Sequence, residues 1–276
     1  SLDYAASVGC GDPAGAAACL RALPATALVE PVYYGKLGDE GLSGPVTDTS
    51  LLPQDPVRVM AEGTVAQVPV LIGTNRDDFT LFMALKYLRL NSEPSAADYP
   101  ELLVKTFGPA HAPAIEQRYP PGDYGGSTSL AYSAAVTDGA FACVADRMGR
   151  DLAAAGVPVY AYEFNDRTAP APDPLRKVPF PVGASHSLEL RYLFDMGGTP
   201  ELDPVQQKLS EQMIDYFTQF IATGVPAAPG APQWPPLEWP PLGGADAAHM
   251  AFDTDGSRVA TGFAQEHQCG FWAGLQ

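Results

Sequence analysis

The sequence predicts an α/β fold with a mostly parallel central sheet, and three features indicate it. Residues 68–73 (VPVLIG) and 157–164 (VPVYAYEF) are short apolar runs with β-branched and aromatic residues, as expected of buried strands. Gly156 separates a helical pattern from the second run, which is the order of an αβ connection. Polar side chains follow the strands, where functional groups collect in open α/β sheets.

The clearest predicted helix begins after Asp203. Pro204 occupies the first helical position and Gln206 completes a capping-box pattern. An apolar stripe at helical spacing follows: Leu209, Met213, Tyr216, Phe217, Phe220 and Ile221. Gly224 ends the helix.

The rest of the chain is rich in turns. Glycine and proline punctuate residues 28–56 so often that we expect a long irregular loop there, and the last fifty or so residues predict turns and short strands. At 276 residues the chain could form one large domain or two smaller ones, and no convincing domain linker is visible.

Composition excludes several function classes. The 276 residues are 46% apolar, which is enough for a substantial core. A formal charge of −16 without any Lys/Arg cluster argues against nucleic-acid or anionic-membrane partners. No apolar run approaches the ~18 residues of a membrane-spanning helix, so we expect no membrane span.

The four cysteines, Cys10, Cys19, Cys143 and Cys269, show no zinc-type spacing. Disulfides are therefore the better interpretation, with four buried free thiols as the alternative. Cys10 and Cys19 are near enough to close a small loop, which leaves Cys143 and Cys269 to bridge a long one. Such a pattern is typical of an oxidising, extracellular compartment.

Two loops after strands carry the candidate chemistry. Residues 74–78 (TNRDD) follow the first strand, and His186 in residues 183–190 (GASHSLEL) comes after the second. A histidine and a carboxylate so placed predict a base and its orienter, and this pair needs a nucleophile. No G-x-S-x-G elbow occurs; the nearest matches, around Ser43, Ser127 and Ser185, do not lie between a strand and a helix.

These segments resemble the type-B carboxylesterases, lipases and cholinesterases. Residues 68–78 (VPVLIGTNRDD) are similar to the segment whose final acidic residue is the triad acid, and residues 183–190 to the segment whose histidine is the triad base. Both cysteine pairs, LPQDP at 52–56 and FIATGVP at 220–226 also resemble family motifs. The similarity covers nearly the whole chain.

The resemblance implies an α/β-hydrolase of which this chain is the C-terminal half, supplying the last strands of the sheet and their flanking helices. Residues 1–276 would be the C-terminal part of a single catalytic domain. The nucleophilic serine and the oxyanion hole are expected before Ser1, on a companion N-terminal chain cleaved from the same precursor. A secreted protein acting on a small-molecule ester, without cofactor or metal, is implied.

His186 and Asp78 are the implied catalytic residues. Asp78 replaces the more usual glutamate and Phe79 replaces a frequent glycine, so Asp77 stays open as the alternative acid or as an ion-pair partner of Arg76. Glu189, one helical turn beyond the histidine, is interpreted as a structural carboxylate that supports the loop.

The other candidates have structural interpretations. Ser185 and Ser187 are interpreted as small residues that keep the histidine loop tight. The remaining histidines are expected to lie on the surface or to be structural: His111, His249 and His267. Two interpretations are open for Phe79, Phe82 and Met83: they line a substrate pocket, or they belong to the hydrophobic core.

The implied function is a serine-dependent carboxylic ester hydrolase. Two alternatives use the same fold: a non-catalytic cholinesterase-like adhesion or binding module, and an amidase or peptidase with the same triad. These residues do not separate an esterase from an amidase, because leaving-group preference depends on pocket geometry.

Overall fold

A computed structural model describes residues 2–28, 47–238 and 247–275 of the chain. Its α-helices, in chain order, are α1 Leu2–Ser7, α2 Ala16–Ala22, α3 Ala25–Leu28, α4 Pro56–Ala61, α5 Thr80–Leu90, α6 Tyr99–Phe107, α7 Ala112–Arg118, α8 Thr128–Val136, α9 Cys143–Ala154, α10 Leu190–Leu193, α11 Pro204–Thr223, α12 Phe263–Glu266 and α13 Cys269–Ala273. Within these ranges no helix has the length and apolarity that a membrane crossing requires.

Shorter helical elements connect some of the α-helices. Pro121–Tyr124 and Leu175–Lys177 are 3₁₀ turns, and a π-helical segment, Thr137–Ala142, joins α8 directly to α9. Of the long loop expected over residues 28–56, residues 29–46 lie outside the described ranges. Asp55 caps α4 by accepting a hydrogen bond from the Val57 N–H at 2.8 Å.

The central sheet has the strand order β1-β2-β3-β4, with β1 Val70–Asn75, β2 Val159–Phe164, β3 His249–Phe252 and β4 Arg258–Ala260. The first two pairings are parallel and the last is antiparallel. The predicted mostly parallel sheet is therefore confirmed. Both faces of β2 are covered, because alternate side chains point to opposite faces: Tyr160 and Phe164 join the main core, while Val159 and Ala161 pack in a second cluster with Leu152 of α9.

The first strand runs two residues further than the sequence predicted. Thr74 and Asn75 belong to β1 because they pair in register with Glu163 and Phe164 of β2. The polar loop after β1 consequently begins at Arg76, and its side chains lie at the carboxyl end of the parallel strands.

Helix α11 begins and ends as predicted. The Asp203 carboxylate accepts hydrogen bonds from the Val205 and Gln206 N–H groups at 2.8 and 2.9 Å, and the Asp203 N–H donates to Gln206 Oε1 at 3.1 Å. Gly224 ends the helix with φ 79°. The predicted apolar stripe is wrong at its last member: Ile221 is 82% exposed, because it lies on the flank of the buried row that passes through Met213 and Tyr216.

The two predicted disulfides are present. Cys10–Cys19 links the loop after α1 to α2, and Cys143–Cys269 joins the starts of α9 and α13 across 126 residues. The alternative of four free thiols is therefore wrong. The second bridge places the C-terminal helices against the π-helical segment, which lies beside the candidate site.

Candidate active site

Asp78 and His186 are in direct contact at the carboxyl end of the sheet. Asp78 Oδ1 lies 2.6 Å from His186 Nδ1, and Asp78 Oδ2 accepts a hydrogen bond from the Asn75 N–H at 3.2 Å. An ionised carboxylate only accepts, so Nδ1 carries the hydrogen and Nε2 has the lone pair. Among the described residues nothing hydrogen-bonds to Nε2, and the histidine side chain is 44% exposed, whereas Asp78 is 5% exposed.

The backbone holds these two side chains in register. We call residues 76–79 the acid turn and residues 183–187 the histidine loop. Asp77 N–H donates to Ala184 O at 3.0 Å, Ala184 N–H donates to Asp77 Oδ2 at 3.0 Å, and His186 N–H donates to Asp78 O at 3.1 Å. The two segments are therefore bound to each other directly, without relying on the triad side chains.

Two residues of the histidine loop have positive φ. Gly183 has φ +65°, and a Cβ there would lie 2.3 Å from Asp77 Oδ2, so only glycine fits. Ser187 has φ +69°, a left-handed conformation that is unfavourable for a residue with a side chain. The tight loop that the small residues predict is thus built on a glycine and one strained serine.

Asp77, the alternative acid, points away from His186. Its carboxylate forms a two-pronged pair with Arg167, with distances of 2.9 Å to Nε and 2.7 Å to Nη2. The alternative role for Asp77, a direct ion pair with Arg76, gives way to the pair with Arg167, although the Asp77 charge still contributes to raising the pKa of Arg76. Arg76 Nη2 instead lies 2.6 Å from Glu266 Oε2, and Nη1 lies 3.4 Å from Glu163 Oε2, because its side chain turns towards β2 and α12.

Glu189 lies next to the pair without contacting it through a hydrogen bond. The Asn75 side-chain amide donates to the Glu189 carboxylate and to Ser185 O, the latter at 2.8 Å. Glu189 and Asn75 together therefore connect the end of β1 to the histidine loop. Burial raises the pKa of Glu189 above the usual range of a glutamate.

The surroundings of His186 also change its acidity. The hydrogen bond to Asp78 raises the pKa of His186 above its ordinary value of 6.5, although partial burial acts in the opposite direction. The negative charges of Asp78 and Glu189 add to the increase. The imidazolium is thus stabilised where a general base needs it, after it has accepted a proton.

Aromatic rings form a wall beside the histidine. The ring centroids of Phe82 and Phe141 lie 5.2 and 6.0 Å from that of His186. Phe79 and Met83 are buried in the main core, so the core interpretation is correct for these two residues, while Phe82 is buried and also contacts the histidine. Phe141 was missed because it lies in the π-helical segment, which has no evident sequence signal.

Phe141 and His186 line a cleft of about 310 Å³ beside β1. His186, Asp78 and Glu189 contribute its polar surface, and Phe141, Val144 and Met148 contribute apolar surface. The arrangement combines a proton-accepting nitrogen with an apolar wall.

Of the three serines that come nearest to a G-x-S-x-G pattern, the two described ones do not complete a triad. Ser127 caps α8 by accepting a hydrogen bond from the Leu130 N–H at 3.2 Å, Ser185 is fully buried in the histidine loop, and Ser43 lies outside the described residues. In the part of the chain that the structure describes, no three His, Cys, Asp or Glu side chains are grouped so that they could hold a metal ion.

A mostly parallel sheet with helices on both faces and a carboxylate–histidine pair on loops after its strands defines an α/β-hydrolase. A model of the carboxylesterase family matches residues 2–272, and the chain belongs to that family.

Individual relatives agree with this assignment. The chain is 28% identical to mouse (Mus musculus) carboxylesterase 1C over 241 residues, which cover 82% of this chain and 42% of that protein. It is 28% identical to mouse carboxylesterase 3B over 257 residues, covering 85% and 43%, and 22% identical to an acetylcholinesterase of Leptinotarsa decemlineata over 268 residues, covering 92% and 41%. The chain thus spans about two fifths of the length of these curated relatives.

Proposed function

We propose that this chain supplies the acid and the base of a serine-dependent carboxylic ester hydrolase. His186 is the general base and Asp78 is its orienter. The nucleophilic serine and the oxyanion hole come from a companion N-terminal chain of the same precursor. The contact of 2.6 Å between His186 Nδ1 and Asp78 Oδ1 carries this proposal, because it leaves the Nε2 lone pair available to a nucleophile.

The reaction would be acyl transfer to water. His186 Nε2 takes the proton of the serine hydroxyl while the serine oxygen attacks the ester carbonyl, and Asp78 stabilises the imidazolium. The tetrahedral intermediate then breaks its bond to the alcohol, which receives the proton from His186. In the second half, His186 takes a proton from water, the hydroxide attacks the acyl-enzyme, and the serine recovers its proton as the carboxylic acid leaves.

The edge of the sheet supports a companion chain. β1 is the first strand in the order β1-β2-β3-β4, and among the described residues no strand pairs with its outer edge. Residues 70–73 of this strand are only partly buried, and the cleft beside them exposes apolar side chains of α9. An unpaired strand edge next to an apolar surface favours the addition of further strands.

Ester hydrolysis by a His186→Ala variant tests the function. In the protein that contains this chain, we expect kcat for a short p-nitrophenyl ester to fall about 10⁶-fold, the scale of histidine loss in other triads. His111→Ala is the matched control, because His111 directly precedes α7 and belongs to neither the acid turn nor the histidine loop; it should keep the parent rate. A parent-like rate in His186→Ala would reject the proposal. A parent protein that does not hydrolyse esters would also reject it, because that result is expected of a non-catalytic binding module.

A denaturing gel without reductant tests the companion chain. Because all four cysteines pair within this chain, the polypeptide that contains it should separate from the companion without reductant. Co-migration of the two chains would contradict this. Ester hydrolysis by the folded 29.1 kDa chain alone would reject the companion altogether.

The disulfides support a secreted location. Both bridges are typical of proteins that fold in oxidising compartments. We therefore expect the activity in the medium or in secretory compartments of producing cells, measured after fractionation; activity confined to the cytosol would contradict this.

A further inference from the structure

His267 lies in a second carboxylate–histidine cluster, which the proposed reaction does not use. Its Nδ1 is 2.6 Å from Asp138 Oδ1 and its Nε2 is 2.6 Å from Glu163 Oε1. The histidine side chain is 5% exposed, so these contacts are shielded from bulk solvent. Asp138 also accepts a hydrogen bond from the Tyr119 hydroxyl at 2.8 Å, and that hydroxyl accepts one from Trp272 Nε1 at 2.8 Å.

The cluster reaches the acid turn from two sides. On one side, Thr137, which precedes Asp138, accepts a hydrogen bond from the Phe79 N–H at 2.9 Å through its Oγ1. On the other side, Glu163 pairs with Arg76 at 3.4 Å. Arg76 and Phe79 are the first and last residues of the acid turn, with Asp78 between them.

We propose that His267 is a positioning residue: held between Asp138 and Glu163, it fixes the acid turn from both ends and releases it when alkaline pH removes its proton. The catalytic consequence of this inference rests on the proposed function. The loss of the His267 proton and its effect on stability are independent of that function.

Hydrogen counting gives the reason for the pH dependence. Two carboxylates can each accept at a ring nitrogen only if both nitrogens carry hydrogen, which is the imidazolium form. A neutral imidazole has one N–H, so after deprotonation one nitrogen lone pair would face a carboxylate oxygen at 2.6 Å. Because these groups are buried, the repulsion is weakly screened, and we expect Glu163 or Asp138 to move.

Electrostatics sets the pH range. Burial lowers the pKa of His267, but the hydrogen bonds and charges of Asp138 and Glu163 outweigh it and raise the pKa to about 9. Since the folded-state pKa is above the ordinary value of 6.5, the stabilisation is complete below 6.5 and is lost as the pH rises through about 9.

Six other titratable or charged groups lie near the cluster. In chain order they come from the acid turn, the end of α7, the 3₁₀ turn Pro121–Tyr124, α9, β3 and α12: Arg76, Tyr119, Tyr124, Arg150, His249 and Glu266. Four of them do not change charge in this range. Burial raises the pKa of Tyr124 to about 12 and that of Tyr119 further, and it lowers the pKa of His249 to about 4. Burial lowers the pKa of Arg76, but Glu163 and Glu266 raise it overall, so its charge persists.

The test compares three variants of the protein that contains this chain, between pH 6 and pH 10. His267→Arg keeps a permanent charge at this position. Glu163→Gln lets a side-chain amide donate to Nε2 of a neutral imidazole, so the cluster no longer needs the second N–H. His267→Gln removes the imidazolium, and His111→Gln is the matched control for loss of a histidine.

The unfolding temperature is a measurement that does not depend on ester hydrolysis. For the parent protein and His111→Gln we expect the unfolding temperature to fall as the pH rises from about 6.5 through about 9. That fall should be much smaller in His267→Arg and in Glu163→Gln. The same alkaline fall in all proteins would overturn the proposal, and if one variant does not fold, the other still decides.

Two readouts report the position of the acid turn. The low-field NMR signal of the His186 Nδ1–H hydrogen, bonded to Asp78, should be lost above pH 9 in the parent but kept in Glu163→Gln or His267→Arg. In hydrolysis, the alkaline limb of kcat should move to higher pH in these variants, and His267→Gln should lose about tenfold or more in kcat at pH 7 with little change in KM, because a 1 Å misplacement can cost about 10²-fold.

Unfolding measurements and the readouts of the acid turn distinguish failure of this inference from failure of the proposed function. Altered unfolding with an unchanged His186 signal and an unchanged alkaline limb would make His267 merely structural and overturn its positioning role. A protein without ester hydrolysis would reject the proposed function, while the unfolding and NMR results would still decide what His267 does.

Discussion

Two histidines of this chain share the same first contact and differ in the second. Both His186 and His267 have a carboxylate oxygen 2.6 Å from Nδ1. At His267 a second carboxylate occupies Nε2 and the side chain is 5% exposed, whereas His186 is 44% exposed and, within the described ranges, has nothing on Nε2. A general base needs an accessible lone pair, so the second contact separates a structural imidazolium from a candidate catalyst.

The acidity of the two rings differs in the same sense. A single carboxylate contact raises the pKa of His186 although partial burial opposes it, while two carboxylates raise that of His267 to about 9 in spite of burial. An efficient general base has its pKa near the working pH. His267 stays protonated at neutral pH and has no lone pair to offer.

Replacing Asp78 or its neighbour Asp77, one at a time, should give the largest difference in kcat among the following comparisons. Asp78→Asn removes the negative charge beside His186 Nδ1. The amide can also donate to Nδ1, which favours the tautomer with its hydrogen on Nε2, so we expect kcat to fall about 10⁴-fold. Asp77→Asn removes a partner of Arg167 instead and should cost far less. Steady-state kinetics on the same ester decides; a larger loss in Asp77→Asn would make Asp77 the orienter and remove the basis of the comparison.

Gly183→Ala should disturb the register of the histidine loop. A methyl group there would overlap the Asp77 carboxylate, and we expect about 1 to 3 kcal/mol of destabilisation beyond the conformational cost and up to about 10²-fold in kcat. Gly125→Ala is the matched control, because Gly125 has nearly the same φ of +66° but nothing within 4 Å. Denaturant unfolding should separate the two variants, and equal losses would show that the overlap is unimportant.

The acid limb of kcat/KM should show the raised pKa of His186. The base must be neutral, and its pKa lies above 6.5, so the rate should fall as the pH drops through a midpoint above 6.5. The residual activity of Asp78→Asn should have its midpoint lower by about one unit or more. An acid limb that is identical in both proteins would assign it to another group.

Ser187→Gly should give the smallest effect. Relief of the left-handed serine, at φ +69°, offsets the greater chain entropy of glycine, and we expect a gain of about 0.5 kcal/mol with kcat within about twofold. Ser185→Gly is the control, because Ser185 is not among the residues with positive φ and should show no gain. A stability loss in Ser187→Gly would mean that its side chain holds the loop.

Local signals predicted the scaffold well. The ends of α11 followed from Asp203, Pro204 and Gly224, because capping is decided within a few residues. The two loops of the candidate site followed from the rule that parallel strands meet at one edge, which needs only the order of the strands.

Contacts between distant segments were not predictable from such signals. Asp77 and Arg167 are 90 residues apart, and His267 is 129 residues from Asp138 and 104 from Glu163. The π-helical segment that places Thr137 and Phe141 is a change of helical register for which the sequence has no evident mark. The sequence therefore indicated the candidate base, and the structure distinguished its surroundings from those of the buried histidine.

The location of a covalent adduct tests the central claim most directly. A fluorophosphonate should react with the activated serine of the protein that contains this chain, followed by peptide mass mapping. We expect the adduct on a serine outside residues 1–276, formed rapidly in the parent and in His111→Ala and very slowly in His186→Ala. An adduct on a serine within these residues, or equal labelling in His186→Ala, would contradict the claim that His186 activates a serine supplied from outside this chain.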